Sequence, residues 1–130
     1  MNTRDKPILP VAWEDWSGFE VEEERIAPGA LITVRGELDI ATVPTLRERL
    51  NAAVEAGVPN IVIDLSPVAF MDSVALAAIL HVRTLLGSDG RMAIVVPPES
   101  YSRLVFEIAG LPACLDLFET LPEARAALEG

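Results

Sequence analysis

I-V-I-D-L-S-P-V-A-F-M-D-S-V-A-L-A-A-I-L, from Ile61 to Leu80, decides the fold. Its first part, led by Asn60, is apolar and β-branched and lies between Pro59 and Pro67, the pattern of a buried strand. Its last part, from Ser73, is apolar on most sides until Arg83 and stops at Gly87, the pattern of a helix set into a core. Ser66-Pro67 opens a loop, and Val68 to Met71 run straight from it into the helix. Asp72 or Ser73 therefore stands at the helix N-terminus, beyond the carboxyl end of the strand. Both residue types cap helices well, at about 1 kcal/mol, and the aspartate charge suits the helix dipole. Capping alone accounts for the polar break.

Working outward, the pattern of strand and helix repeats. F-E-V-E-E-E from Phe19 starts as an alternating strand, and Pro28-Gly29 signals a turn. A-L-I-T-V-R-G follows as a second strand, with Leu31, Thr33 and Arg35 on one face and Ile32 and Val34 on the other. The two form a hairpin, and Gly36-Glu37-Leu38-Asp39 ends the second strand. A helix then begins with Thr42 as N-cap and Pro44 in its first turn, where the missing N–H costs nothing. Leu46, Leu50, Ala53 and Val54 line one face, and Gly57 stops it. After the central stretch come a buried strand at R-M-A-I-V-V, a helix from Tyr101 to Gly110, a short strand at L-D-L-F and a last helix at P-E-A-R-A-A-L-E. Alternation of this kind, with nearly all-apolar strands, predicts an α/β domain: a mixed sheet of about four to five strands covered by about four to five helices. Residues 1–18, broken by Pro7 and Pro10 and closed by Gly18, form an N-terminal tail ahead of a domain at 19–130. Trp13 and Trp16 in that tail either pack back onto the domain or make V-A-W-E-D-W a docking segment.

At 130 residues the chain has the length of one domain, enough to bury roughly two-thirds of its unfolded surface. Its formal net charge of −10 argues against nucleic acid or an anionic membrane as partner and favours a partner with a basic face. The single cysteine, Cys114, has no intramolecular partner for a disulfide, which suggests a reducing compartment. M-N-T-R-D-K-P lacks the apolar core of a signal peptide, and Val74 to Leu80 is far short of the ~20 residues that span a bilayer. A cytoplasmic location is expected.

Enzyme chemistry finds little support. His81, the only histidine, lies in mid-helix beside apolar residues, as a packing or surface residue would. Cys114 has no basic neighbour to activate it. Gly87, Gly90 and Gly110 are isolated and make no phosphate loop, and E-V-E-E-E suits a solvated strand face better than a metal site. No catalytic residue, cofactor or metal is expected. A hydroxyl at a helix N-terminus is nevertheless rigidly placed among free N–H groups. A phosphate on Ser73 would add about −1.5 to −2 charges where the dipole tolerates them, altering the surface and not the fold.

G-E-L-D at Gly36 to Asp39 and I-V-I-D-L-S-P-V-A-F-M-D-S at Ile61 to Ser73 resemble the signature of the STAS family, in particular the bacterial anti-sigma factor antagonists. The likeness runs over nearly the whole chain from Phe19. It implies a sheet flanked by helices, and a regulatory protein rather than an enzyme. In such antagonists the serine after the aspartate is phosphorylated by an anti-sigma factor that is itself a serine kinase. The unphosphorylated form binds that kinase and frees the sigma factor, and a PP2C-type phosphatase resets the cycle. By this resemblance Ser73 is the phosphoacceptor, and Asp39, Asp72, Ser73, Val74 and Leu76 make the partner-binding face. The chain departs from the pattern at Val74-Ala75, where the antagonists usually continue with Ser or Thr and then Gly. Other readings are a STAS module without phosphorylation, as scaffold or soluble transport subunit, and a small-molecule or nucleotide sensor.

Overall fold

The structure, a computed structural model, describes residues 18–27, 29–111 and 115–129. Trp13, Trp16 and Cys114 lie outside the described residues. Ten elements follow one another: β1 (Glu20–Ile26), β2 (Gly29–Leu38), α1 (Val43–Glu55), β3 (Asn60–Asp64), β4 (Val68–Met71), α2 (Ser73–Leu86), β5 (Arg91–Val95), α3 (Tyr101–Ile108), β6 (Asp116–Phe118) and α4 (Leu121–Glu129). The expected hairpin is present, with β1 antiparallel to β2 from Glu20 opposite Arg35 to Ile26 opposite Gly29. Every other pairing is parallel, and the strands run in the order β1-β2-β3-β5-β6. The sheet is thus mixed and has six strands, because Val68–Met71, expected as a loop into α2, forms a strand of its own.

β4 pairs with the far end of β2, beyond the part of β2 that pairs with β3. Gly36 lies opposite Val68, Glu37 opposite Phe70 and Leu38 opposite Met71, so Ala69 is an extra residue on β4. β2 therefore continues through Gly36 to Leu38 instead of ending there. Gly36 makes this possible. Its φ of +100° is open chiefly to glycine, and a Cβ there would overlap the Gly18 carbonyl oxygen. The glycine of G-E-L-D lets the start of β1 lie against the β2 bend.

Two apolar layers hold the sheet. Ala30, Ile32, Val34, Ile61, Ile63, Met92 and Ile94 face one side, packed with Leu46, Leu50, Ala53, Ile79, Val82 and Phe106 from α1, α2 and α3. Leu31, Val62, Ala93 and Val95 face the other, covered by Ala124 and Leu128 of α4. Strands sandwiched in this way must be apolar at successive positions, which is why N-I-V-I-D and R-M-A-I-V carry no polar-apolar alternation. β1 is the exception, an edge strand whose only buried residue is Val21. Its glutamates face water and pair loosely with Arg35 and Arg25, which discourages edge-to-edge association.

Candidate functional site

The carboxyl ends of β2 and β4 lie side by side, and the residues singled out from the sequence follow directly from those ends. Parallel strands commonly place their working residues there, where loops leave the sheet. Leu38 ends β2, and its carbonyl accepts a hydrogen bond at 3.0 Å from the N–H of Asp72, the residue after β4. One backbone bond thus ties the loop carrying Asp39 to the cap carrying Asp72. The sequence separates them by a helix and two strands; the fold brings them together.

Asp72 is the N-cap of α2. Its backbone is extended, with φ −109° and ψ 179°, and its Oδ1 accepts the Val74 N–H at 3.0 Å. Ser73 is the first helical residue and is exposed. Among the described residues its hydroxyl makes no hydrogen bond. It is held in place by the backbone alone, at the positive end of a 14-residue helix.

The Asp39 loop is arranged otherwise. Asp39 Oδ1 accepts from the Ala41 and Thr42 N–H groups at 2.9 and 3.1 Å, closing a tight turn. Thr42 stands at the N-cap position of α1, but its side chain caps nothing. Its Oγ1 turns back instead, donating to the Glu37 carbonyl at 2.7 Å and accepting the Asp39 N–H at 2.9 Å. The Asp39 carbonyl takes over the capping, accepting from the N–H groups of Thr42 and Val43. Asp64 is likewise consumed locally: buried, it accepts from the Ser66 N–H and hydroxyl at 2.9 and 2.6 Å, turning the chain from β3 toward β4.

The expected partner face is only partly at the surface. Asp39 and Asp72 are half-buried and Ser73 is exposed, whereas Leu76 is 7% exposed and belongs to the core. Val74 is half-buried and packs against that core. Ala75 is fully buried, so the methyl that distinguishes it from glycine points into the protein and away from any docking partner. Two aromatic residues that the sequence did not single out lie next to this site. Phe70 of β4 stacks on Tyr101 of α3, ring centroids 5.3 Å apart and planes at 22°, and both rings are exposed. The signal was available in the apolar spacing of α3. His81 is exposed on α2. Among the described residues no three His, Cys, Asp or Glu side chains converge to hold a metal ion, and no helix is long and apolar enough to cross a membrane.

Residues 21–124 match the STAS domain family model. The anti-sigma-F factor antagonist RsfB of Mycobacterium tuberculosis is 30% identical over 101 residues, covering 78% of this chain and 82% of the relative. A crystal structure of an anti-sigma factor antagonist from Mycobacterium paratuberculosis superposes with a TM-score of 0.81 at 28% identity, over 88% of this chain and 97% of that one. The phosphorylated form of the Bacillus cell fate determinant SpoIIAA superposes with a TM-score of 0.64 at 27% identity, over 85% and 98% of the two chains.

Proposed function

The chain belongs to the STAS domain family, and from that premise we propose that it is an anti-sigma factor antagonist whose binding is switched off by phosphorylation of Ser73. The observation that carries this reading is the Ser73 hydroxyl: exposed, without a hydrogen bond among the described residues, and fixed by a capped helix start. The similarity to RsfB and to a SpoIIAA solved in its phosphorylated form supports it. The partner is an anti-sigma factor with serine kinase activity, and the protein acts in the cytoplasm as a regulatory binding protein, not an enzyme.

In the phosphorylating complex, Ser73 Oγ attacks the γ-phosphorus of ATP held by the kinase. ADP leaves, and the hydroxyl proton passes to a base on the kinase. The new phosphate gains the N-terminal dipole of α2 but meets an Asp72 carboxylate that already occupies the Val74 N–H. Its charge adds to those of Asp72 and Asp39, and a partner surface that fitted the neutral hydroxyl must now desolvate a dianion. A PP2C-type phosphatase restores the hydroxyl. Release of the sigma factor follows from occupation of the anti-sigma factor by the unphosphorylated form.

The test is incubation of the full chain with its purified anti-sigma factor and ATP, read by intact mass and by binding. One phosphate is expected on the wild type and none on Ser73→Ala. Ser73→Ala is expected to bind like the wild type and Ser73→Glu at least tenfold more weakly. Equal binding by both variants overturns the switch, and binding without any phosphate transfer points to an unmodified STAS scaffold.

A further inference from the structure

V-A-W-E-D-W, residues 11–16, is a motif that the Ser73 site does not use, and the sheet has an open face beside it. α4 packs against β3, β5 and β6 and, with Ala124 and Leu128, covers Leu31, Val62, Ala93 and Val95. Toward the carboxyl end of β2 the same face runs on past α4. Thr33, Arg35 and Glu37 follow Leu31 at alternate positions, with Glu22 opposite Thr33, Glu20 opposite Arg35 and Phe70 opposite Glu37. Thr33 is half-buried and the other five are exposed. Phe70 stacks on Tyr101, so two large rings, 37% and 45% exposed, border this stretch of open sheet.

Where the chain enters selects the occupant. Because β1 is antiparallel to β2, it starts at this end of the sheet, with Glu20 beside Arg35. Phe19 is packed against the core, and the Gly18 carbonyl lies against Gly36, which stands opposite Val68. The segment before Gly18 therefore leaves from a fixed point within about two strand spacings, roughly 10 Å, of β4. Extended chain covers about 3.3–3.6 Å per residue, which gives Trp13 a reach of about 17 Å from Gly18 and Trp16 about 7 Å plus its own indole. Both come within range of Phe70. A segment joined to the face by so few residues acts at an effective concentration in the millimolar range. Arg35, its side chain 49% exposed and held only loosely by Glu20 and Glu22 at 3.8 and 3.6 Å, offers a cation to an indole face. Glu14 and Asp15, between the tryptophans, carry the same sign as Glu20, Glu22 and Glu37. The rings drive the contact and the carboxylates oppose it, which keeps it weak enough to release.

We propose that residues 11–16 are an intramolecular strap that folds back over the open end of this face, with one indole against the Phe70–Tyr101 pair and the other near Arg35. Tyr101 also lines the hollow that holds Asp72 and Ser73, so the docked strap borders the phosphorylation site. A second consequence rests on the function proposed above: the docked strap slows transfer of phosphate to Ser73, and its release speeds it.

Trp13 and Trp16 are the only tryptophans of the chain, so intrinsic fluorescence reads the strap alone. The experiment records emission and acrylamide quenching of the full chain, with the urea-unfolded chain as the reference for a free indole and circular dichroism as the check on folding. The native chain is expected to emit to the blue of the unfolded one and to quench several-fold less. Phe70→Ala and Tyr101→Ala, both at exposed positions, are each expected to move the two readings toward the unfolded values with the fold intact. Leu85→Ala, an exposed apolar truncation on α2, is expected to change neither. Native readings equal to those in urea overturn the strap, as do wild-type readings in both Phe70→Ala and Tyr101→Ala. Protection that disappears on dilution assigns the indoles to a second copy of the chain and overturns the intramolecular contact. For the second consequence, the double variant Trp13→Ala, Trp16→Ala is expected to take up phosphate from the purified anti-sigma factor and ATP several-fold faster than the wild type. An unchanged rate overturns the gating and leaves the strap standing. A wild type that takes up no phosphate overturns the Ser73 switch, and the fluorescence still decides the strap.

Discussion

The start of α1 and the start of α2 are assembled from the same parts, an aspartate and a hydroxyl, and put them to opposite use. At α1 every group is spent. Asp39 closes a turn, and Thr42 clasps both Glu37 and Asp39 with its one hydroxyl. At α2 the aspartate does the structural work, capping through Val74, and among the described residues the Ser73 hydroxyl is left over. A side chain that holds the fold together cannot change its chemistry without loosening the fold. One that holds nothing can be modified freely. The two sites are joined by the bond from the Asp72 N–H to the Leu38 carbonyl, so the rigid one serves as a platform for the free one.

Removing the platform should have the largest effect. Gly36→Ala places a Cβ against the Gly18 carbonyl at a φ of +100° and is expected to cost about 3 kcal/mol, measured by urea denaturation. Thr42→Val keeps the shape but strips the Glu37 carbonyl and the Asp39 N–H of their partner. A loss of about 2 kcal/mol is expected in the same assay, and a change near zero would mean that the clasp holds nothing. Asp72→Ala removes a true cap and should cost about 1 kcal/mol, with faster amide exchange at Val74 as the local readout. Ser73→Ala should be the mildest, within about 0.5 kcal/mol of the wild type in stability. A larger loss there would erase the contrast between the two helix starts.

The fold was legible wherever one local signal sufficed. The buried strands β3 and β5 announce themselves as bounded apolar runs, α2 by its cap and its glycine stop, and the β1–β2 hairpin by its turn. What escaped depends on partners far away in the chain. Val68–Met71 is four residues long, with Ala69 and Phe70 exposed, and becomes a strand only because the end of β2 lies beside it. Leu38 belongs to β2 for the same reason. Thr42 has the residue type and position of a cap, yet the Glu37 carbonyl and the Asp39 turn compete for its hydroxyl and win. The site divides similarly. Asp72 and Ser73 were legible as a helix start, and Asp39 as its neighbour through the STAS resemblance. The burial of Leu76 and Ala75 was not, because α2 is apolar on most sides and its sequence does not tell which flank meets the sheet.

The idle hydroxyl of Ser73 has a consequence for how this protein can change over generations. Selection for a stable domain acts strongly on Gly36, Thr42 and Asp72 and hardly at all on the atom that would carry the phosphate. A lineage can therefore discard or reacquire that oxygen in a single codon change while the domain goes on folding and accumulating as before. Under the proposed switch, regulation and foldability are inherited as separable traits.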